Sequence, residues 1–167
     1  TFLQRCTRYS QNAVSSSIKI TNEILAKATN LKMIQRTGVG LDSLDLEAIK
    51  QKQIPLYVNQ GVNSQSVAEH TLLLILASLR RLSVIDANTK NGVWKKQEQG
   101  TTTHELSGKT VGIIGMGNIG QRVAKLVSAF GAKILYSNIK RMPEEFEKSY
   151  NMRFVGREEL FKSSDII

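Results

Sequence analysis

Gly115-Met116-Gly117-Asn118-Ile119-Gly120 have the residue types and spacing to hold a pyrophosphate. Glycine at the first position turns the chain tightly, at the third leaves room for the diphosphate, and at the last lets a helix pack close to its strand. Helix-end N–H groups then meet the anion directly. The flanking residues give this short pattern its weight. Thr110-Val111-Gly112-Ile113-Ile114 reads as a buried strand, Ile119, Val123, Val127 and Phe130 recur at helical spacing, Gly131 supplies the stop, and Lys133-Ile134-Leu135-Tyr136 reads as a second strand. Residues 110–137 therefore make one βαβ unit, in which Gly115, Met116, Gly117, Asn118, Ile119 and Gly120 are the candidate dinucleotide-binding residues.

The end of that second strand decides which dinucleotide is favoured. An acidic residue here would accept hydrogen bonds from the adenosine ribose and repel a 2′-phosphate. The chain instead reads Tyr136-Ser137-Asn138-Ile139-Lys140-Arg141, with no carboxylate at the expected spacing. Ser137 and Asn138 can hydrogen-bond a 2′-phosphate, and Lys140 and Arg141 can pair with its charge. Charge-assisted bonds of this kind contribute about 1.5–3 kcal/mol each. The reading is NADP(H) over NAD(H), with NAD(H) as the alternative.

Other elements lead up to this unit. The first seventeen residues are polar and show no strand-helix unit. A helix is expected from about Thr21 to Lys27, a strand at Lys32-Met33-Ile34-Gln35, and a glycine turn at Thr37-Gly38-Val39-Gly40. Asp45 is placed to cap a helix from Leu46 to about Lys52, and Pro55 leads into a strand at Leu56-Tyr57-Val58-Asn59. A long helix is expected from about Ser66 to Thr89, opened by the capping box Ser66-Val67-Ala68-Glu69. Its centre, Leu72 to Leu79, is apolar on nearly all sides and should lie buried against another domain or a second subunit. Asn91 to Gly108, with the only tryptophan, Trp94, reads as a long loop, and Ser164-Asp165-Ile166-Ile167 as the start of another strand.

Composition narrows the function classes. The chain has 167 residues and a net charge of +9, from 23 Lys and Arg against 14 acids. The basic residues are scattered and only 6% of residues are aromatic, so no basic-aromatic stripe for nucleic acid emerges. A field that attracts anionic coenzyme and substrate is the simpler use. The longest apolar run, Leu72 to Ala77, is too short to span a bilayer. The single cysteine, Cys6, cannot pair within the chain, which suits a cytoplasmic protein.

Three stretches, in order, resemble the D-isomer-specific 2-hydroxyacid dehydrogenase family from Leu31 onward. They are Arg36-Thr37-Gly38-Val39-Gly40-Leu41-Asp42-Ser43-Leu44-Asp45, the run from Val58 through Ser66-Val67-Ala68-Glu69-His70 to Thr71, and the run from Glu105 through Gly108 to Gly120. The resemblance implies an α/β fold: part of a flavodoxin-like substrate domain (1–62), then the first half of a Rossmann-type doubly wound parallel sheet (63–167). It implies reversible hydride transfer between a nicotinamide and a 2-keto or 2-hydroxy acid, of the glyoxylate or hydroxypyruvate reductase or phosphoglycerate dehydrogenase type. By position, the backbone of Val39 and Gly40 would receive the substrate carboxylate, as paired N–H groups of a glycine turn do for anions. Val67 would lie near the nicotinamide, and Asn138 stands where most relatives carry Asp.

The family's catalytic Arg, Glu and His would lie past the point matching Ser164 to Ile167. The resemblance therefore makes this an internal fragment, which alone should bind coenzyme weakly and catalyse nothing measurable. Of the two histidines, His70 is expected to be a buried helix residue and His104 to face solvent; neither aligns with the family's proton donor. No catalytic side chain and no metal site are assigned within these residues. A homodimer formed through the coenzyme domain is implied, with the Leu72–Leu79 helix and the Trp94 loop near its axis. The alternative function is a non-catalytic, NAD(P)-sensing interaction protein of the corepressor type.

Overall fold

The computed structural model describes the backbone of residues 12–15 and the whole of residues 19–167. Cys6 and most of the polar opening run lie outside the described residues. The chain divides into two compact units, 1–63 and 64–167.

The first unit holds a parallel sheet in the order β1 (Asn12–Ser15), β2 (Met33–Arg36), β3 (Leu56–Val58). Asn12 pairs with Met33 and Ile34 with Leu56. Strand β1 falls within the opening stretch, where the sequence shows no strand-helix unit. Its short polar sequence carries no alternation, and its pairing with β2 supplies what local pattern does not. Two short helices follow the sequence closely. Thr21 caps α1 (Asn22–Lys27), and the Asp45 carboxylate accepts the Ala48 N–H at 3.0 Å to open α2 (Leu46–Gln51). Leu25, Ile34, Leu44, Ala48 and Ile49 pack together as the core of this unit.

The second unit carries the parallel sheet β4 (Thr110–Ile114), β5 (Lys133–Ser137), β6 (Met152–Phe154), in that order. Parallel strands need crossovers, and these are made by α6 (Asn118–Ala129), α7 (Glu144–Ser149) and, after β6, α8 (Arg157–Ser163). Side chains alternate across β5: Ile134 and Tyr136 join the core with Val111, Ile113, Val123 and Val127, whereas Leu135 packs with Val155 and Leu160. After α8 the chain returns beside β4. Ile166 bridges Val111 in parallel, and its carbonyl accepts the Gly112 N–H at 2.7 Å. Sheet growth thus reverses direction at β4, with β5 on one side and the Ile166 segment on the other.

The long helix expected over 66–89 is two helices, α3 (Ser64–Leu79) and α4 (Leu82–Lys90). The break has a cause outside its own sequence. The Leu79 carbonyl accepts the N–H of His104 at 2.9 Å, and Arg81 adopts a left-handed backbone (φ 49°) while its guanidinium donates to Thr102. At the other end α3 begins two residues before Ser66, so the capping box is not formed, and the Glu69 carboxylate accepts from Gln65 instead. Within the single chain the centre of α3 is covered on one side. Leu72, Ile75, Leu76 and Leu79 pack on the core that includes α6, while Leu73 and Leu74 are more than half exposed in the single chain. His70 is exposed, contrary to expectation, because it lies off the face that carries Ala68 and Leu72; His104 is exposed as expected. Within the expected loop 91–108 lies a further helix, α5 (Lys96–Thr102). Gly100 and the run of threonines hide it in the sequence, their low helix propensity masking a turn braced by a Lys95–Glu98 ion pair. Among the described residues, no helix is long and apolar enough to cross a membrane.

Candidate coenzyme site

Strand β4 runs into the glycine loop at the point where the sheet reverses. Gly115 leaves the strand at φ +93°, a conformation side chains rarely adopt, and its N–H donates to the Ser137 carbonyl of β5 at 2.8 Å. The Met116 side chain is buried, its N–H donates to Asn138 Oδ1 at 3.3 Å, and its carbonyl accepts from Gln121 Nε2 at 2.9 Å. Asn138 also donates through Nδ2 to the Lys140 carbonyl at 3.0 Å. This one side chain therefore ties the end of β5 to the loop after β4.

Beyond Met116 the polar backbone is uncommitted. Gly117 is the N-cap of α6 with extended backbone and no side-chain cap. The N–H groups of Gly117, Asn118, Ile119 and Gly120 have no hydrogen-bond partner among the described residues, and the first turn contains no acid. Four orphan donors at the positive end of a helix are the chemistry that can hold an anion. A Cβ at Gly117 would meet nothing within 4 Å, so the space beside this residue is open. At Gly120 a Cβ would collide with the Gly115 carbonyl oxygen and lie 3.4 Å from Ile113 Cγ2. Helix α6 sits this close to β4 only because residue 120 is glycine.

Beside the loop is a groove of about 640 Å³, lined among others by Thr71, Leu74, Ile75, Gly115, Ile119 and Ile166. Its walls are largely apolar. Val67, half-buried on α3, lies one turn before Thr71 and is not part of the lining; its carbonyl accepts the Thr71 hydroxyl at 2.8 Å.

At the far end of β5, Ser137 is half-buried, and Lys140 is exposed without a side-chain partner among the described residues. Arg141 is committed elsewhere. Its Nε and Nη2 donate to the two oxygens of Glu147 at 2.9 and 2.7 Å. The buried Glu147 carboxylate also accepts from the Tyr136 hydroxyl, which in turn accepts the Met142 N–H at 2.8 Å. The Arg141 hydrogen bonds, then the Tyr136 bond, hold the Glu147 carboxyl down at about 2 against an ordinary 4.5. Burial first, and the neighbouring carboxylate second, push the Tyr136 phenol up. Tyr136 and Glu147 were not among the residues expected here. The available signal was a tyrosine on the inward face of a strand, whose buried hydroxyl requires a partner.

In the first unit, the glycine turn after β2 is braced by Arg36, whose Nε donates to the Gly40 carbonyl at 2.9 Å. The Val39 and Gly40 N–H groups have no partner among the described residues, and both residues are exposed. No group of three His, Cys, Asp or Glu side chains among the described residues is placed to hold a metal ion.

Comparison with known proteins matches residues 72–167 to the model of the D-isomer specific 2-hydroxyacid dehydrogenase NAD binding domain. Hydroxypyruvate reductase of Thermotoga maritima is 40% identical over 154 residues, covering 92% of this chain and 48% of that protein. Glyoxylate reductase of Thermococcus litoralis is 38% identical over 89% of this chain and 46% of its own length. Among solved structures, D-lactate dehydrogenase of Aquifex aeolicus, complexed with NAD and lactic acid, superposes with a TM-score of 0.83 at 32% identity. That match covers 97% of this chain and 48% of the other. The chain thus spans about half the length of the relatives it matches. A glycine loop with four uncommitted amides at the reversal of a parallel sheet, together with these matches, places the chain in the D-isomer specific 2-hydroxyacid dehydrogenase family.

Proposed function

We propose that this chain forms the coenzyme cradle, and part of the substrate-binding unit, of a reductase of 2-keto acids that uses NADP(H) in preference to NAD(H). The observation that carries the reading is the row of uncommitted N–H groups from Gly117 to Gly120 at the N-terminus of α6. A pyrophosphate fits there: the donors are consecutive at one helix end, no acid opposes it, and a Cβ at Gly117 would meet nothing. Gly115 and Met116 hold the loop to β5, so the amides are aimed before any ligand arrives, which limits the ordering cost of binding.

The adenosine end supports NADP(H). Ser137 and Asn138 are neutral, and Lys140 has a cation to offer a 2′-phosphate. Arg141 offers the part of its guanidinium that Glu147 does not use. When bound, the nicotinamide supplies or removes a hydride at the carbon α to the substrate carboxylate. Val67 is assigned to the nicotinamide end, and the N–H groups of Val39 and Gly40 receive the substrate carboxylate on a turn that Arg36 keeps in shape. The groups that polarise the carbonyl and deliver the proton are assigned outside these residues. Substrates of the glyoxylate, hydroxypyruvate or phosphohydroxypyruvate type fit this role. The exposed Leu73, Leu74 and Trp94 are assigned to a homodimer contact of a cytoplasmic enzyme.

The test is direct titration of the full-length protein with NADPH and with NADH, followed by keto-acid reduction read from coenzyme absorbance. Tighter NADPH binding and turnover are expected. Tighter NADH binding overturns the coenzyme preference, and failure to bind either overturns the cradle.

A further inference from the structure

The turn that leaves β5 is held by a side-chain network that reaches past the residues assigned to the coenzyme, to Glu147 and Tyr136. Glu147 on α7 is buried, whereas Arg141, bonded to both its oxygens, has a side chain 64% exposed. The network therefore has a fixed end in the core and an open end at the surface. Tyr136 anchors the fixed end: its ring is fully buried against Phe154, and its hydroxyl links Glu147 to the Met142 N–H. Asn138 closes the other side of the same turn by bonding Met116 and Lys140. The segment from Ser137 to Met142 is thus pinned at both ends. Its middle residue, Ile139, is fully exposed.

We propose that Glu147 is a positioning residue for coenzyme selection: it presents the unused edge of the Arg141 guanidinium to the 2′-phosphate. This rests on the NADP(H) reading above. An arginine on an exposed turn ordinarily samples many rotamers, and clamping a phosphate costs it that freedom. Here Nε and one side of Nη2 are already bonded, so the side chain is ordered in advance and Nη1 stays open. The carboxylate also sets a limit. Its charge offsets part of the Arg141 charge, so the gain for a 2′-phosphate comes from geometry and the Nη1 donors rather than from an unopposed cation. Since Glu147 remains ionised down to about pH 2, the arrangement holds throughout the physiological range.

The experiment compares the NADH-to-NADPH ratio of dissociation constants in the full-length protein for wild type, Glu147→Gln, Arg141→Met and the double variant. A general loss of folding acts on both coenzymes and cancels in the ratio. Each single change is expected to lower the ratio about tenfold, and the double change to lower it no further. If Arg141→Met lowers the ratio and Glu147→Gln does not, the positioning role is overturned while the NADP(H) reading stands. If wild type prefers NADH, the NADP(H) reading falls. The positioning role then stands only if the two single variants shift the ratio equally, and the absence of any shift overturns it. Should Glu147→Gln fold poorly, Glu147→Asp carries the test: it keeps the charge but is too short to reach both guanidinium nitrogens, so it should lower the ratio as Gln does. An unchanged ratio in Glu147→Asp also counts against the role.

Discussion

Gly120→Ala tests the cradle most severely, because the obstacle to a larger side chain is backbone. The added methyl would collide with the carbonyl oxygen of Gly115 and crowd Ile113 Cγ2 at 3.4 Å. Neither neighbour is the far end of a flexible side chain, so α6 must move off β4. Overpacking of this kind costs about 1–3 kcal/mol, which in a protein of this size or larger lowers Tm by roughly 2–4 °C per kcal/mol. The same displacement carries the amides of Gly117 to Gly120 away from the pyrophosphate. Loss of one charge-assisted bond, about 1.5–3 kcal/mol, weakens coenzyme binding by roughly ten- to a hundredfold. Gly117→Ala is the control. A methyl there meets nothing in the protein and the backbone is ordinary, φ −78°, so stability should be unchanged while the methyl occupies the ligand's space and binding falls. Calorimetric titration with NADPH and thermal melts of both variants of the full-length protein separate the two effects. If Gly120→Ala melts and binds like wild type, the claim that α6 is held at this distance by a glycine is wrong. If Gly117→Ala binds normally, the ligand does not lie over these amides.

Three further outcomes are expected. Glu147 has a depressed pKa, so its contribution is complete above about pH 4.5 and is lost as pH falls toward 2. Glu147→Gln should cost about 2 kcal/mol at pH 7, the full linkage value of roughly 3 being trimmed because Arg141 lies largely in water, and its melting curve should lack the wild-type decline below pH 4.5. Asn138→Asp keeps an acceptor for the Met116 N–H but replaces the donor to the Lys140 carbonyl with a negative charge; titration should show the NADH-to-NADPH ratio of dissociation constants falling by about tenfold. Leu74→Lys places a charge on an exposed apolar helix face, and sedimentation should show a shift from dimer to monomer at micromolar concentration if α3 forms the subunit contact.

How far the sequence foretold this arrangement depended on whether a feature's cause was local. The βαβ unit was legible because every part of it is local: a buried run, a glycine bend, apolar residues at helical spacing and a left-handed stop at Gly131. Asp45 was legible as a cap because a cap is a matter of a few adjacent residues. What escaped was set by partners distant in sequence. Nothing near Leu79 says that its carbonyl will be taken by His104, yet that bond and the neighbouring turn at Arg81 divide one expected helix into two. Strand β1 is a strand because β2 pairs with it, not because its residues alternate. The site shows the same division. Glycine spacing reveals the uncommitted amides, since backbone geometry alone makes them. Arg141, by contrast, reads in sequence as a free surface cation, and only the fold reveals that a buried carboxylate and a core tyrosine hold it. Which cation of this turn is ordered is therefore a tertiary property: the residue types after β5 name Lys140 and Arg141, and the packing of α7 sets Glu147 where it holds Arg141 alone.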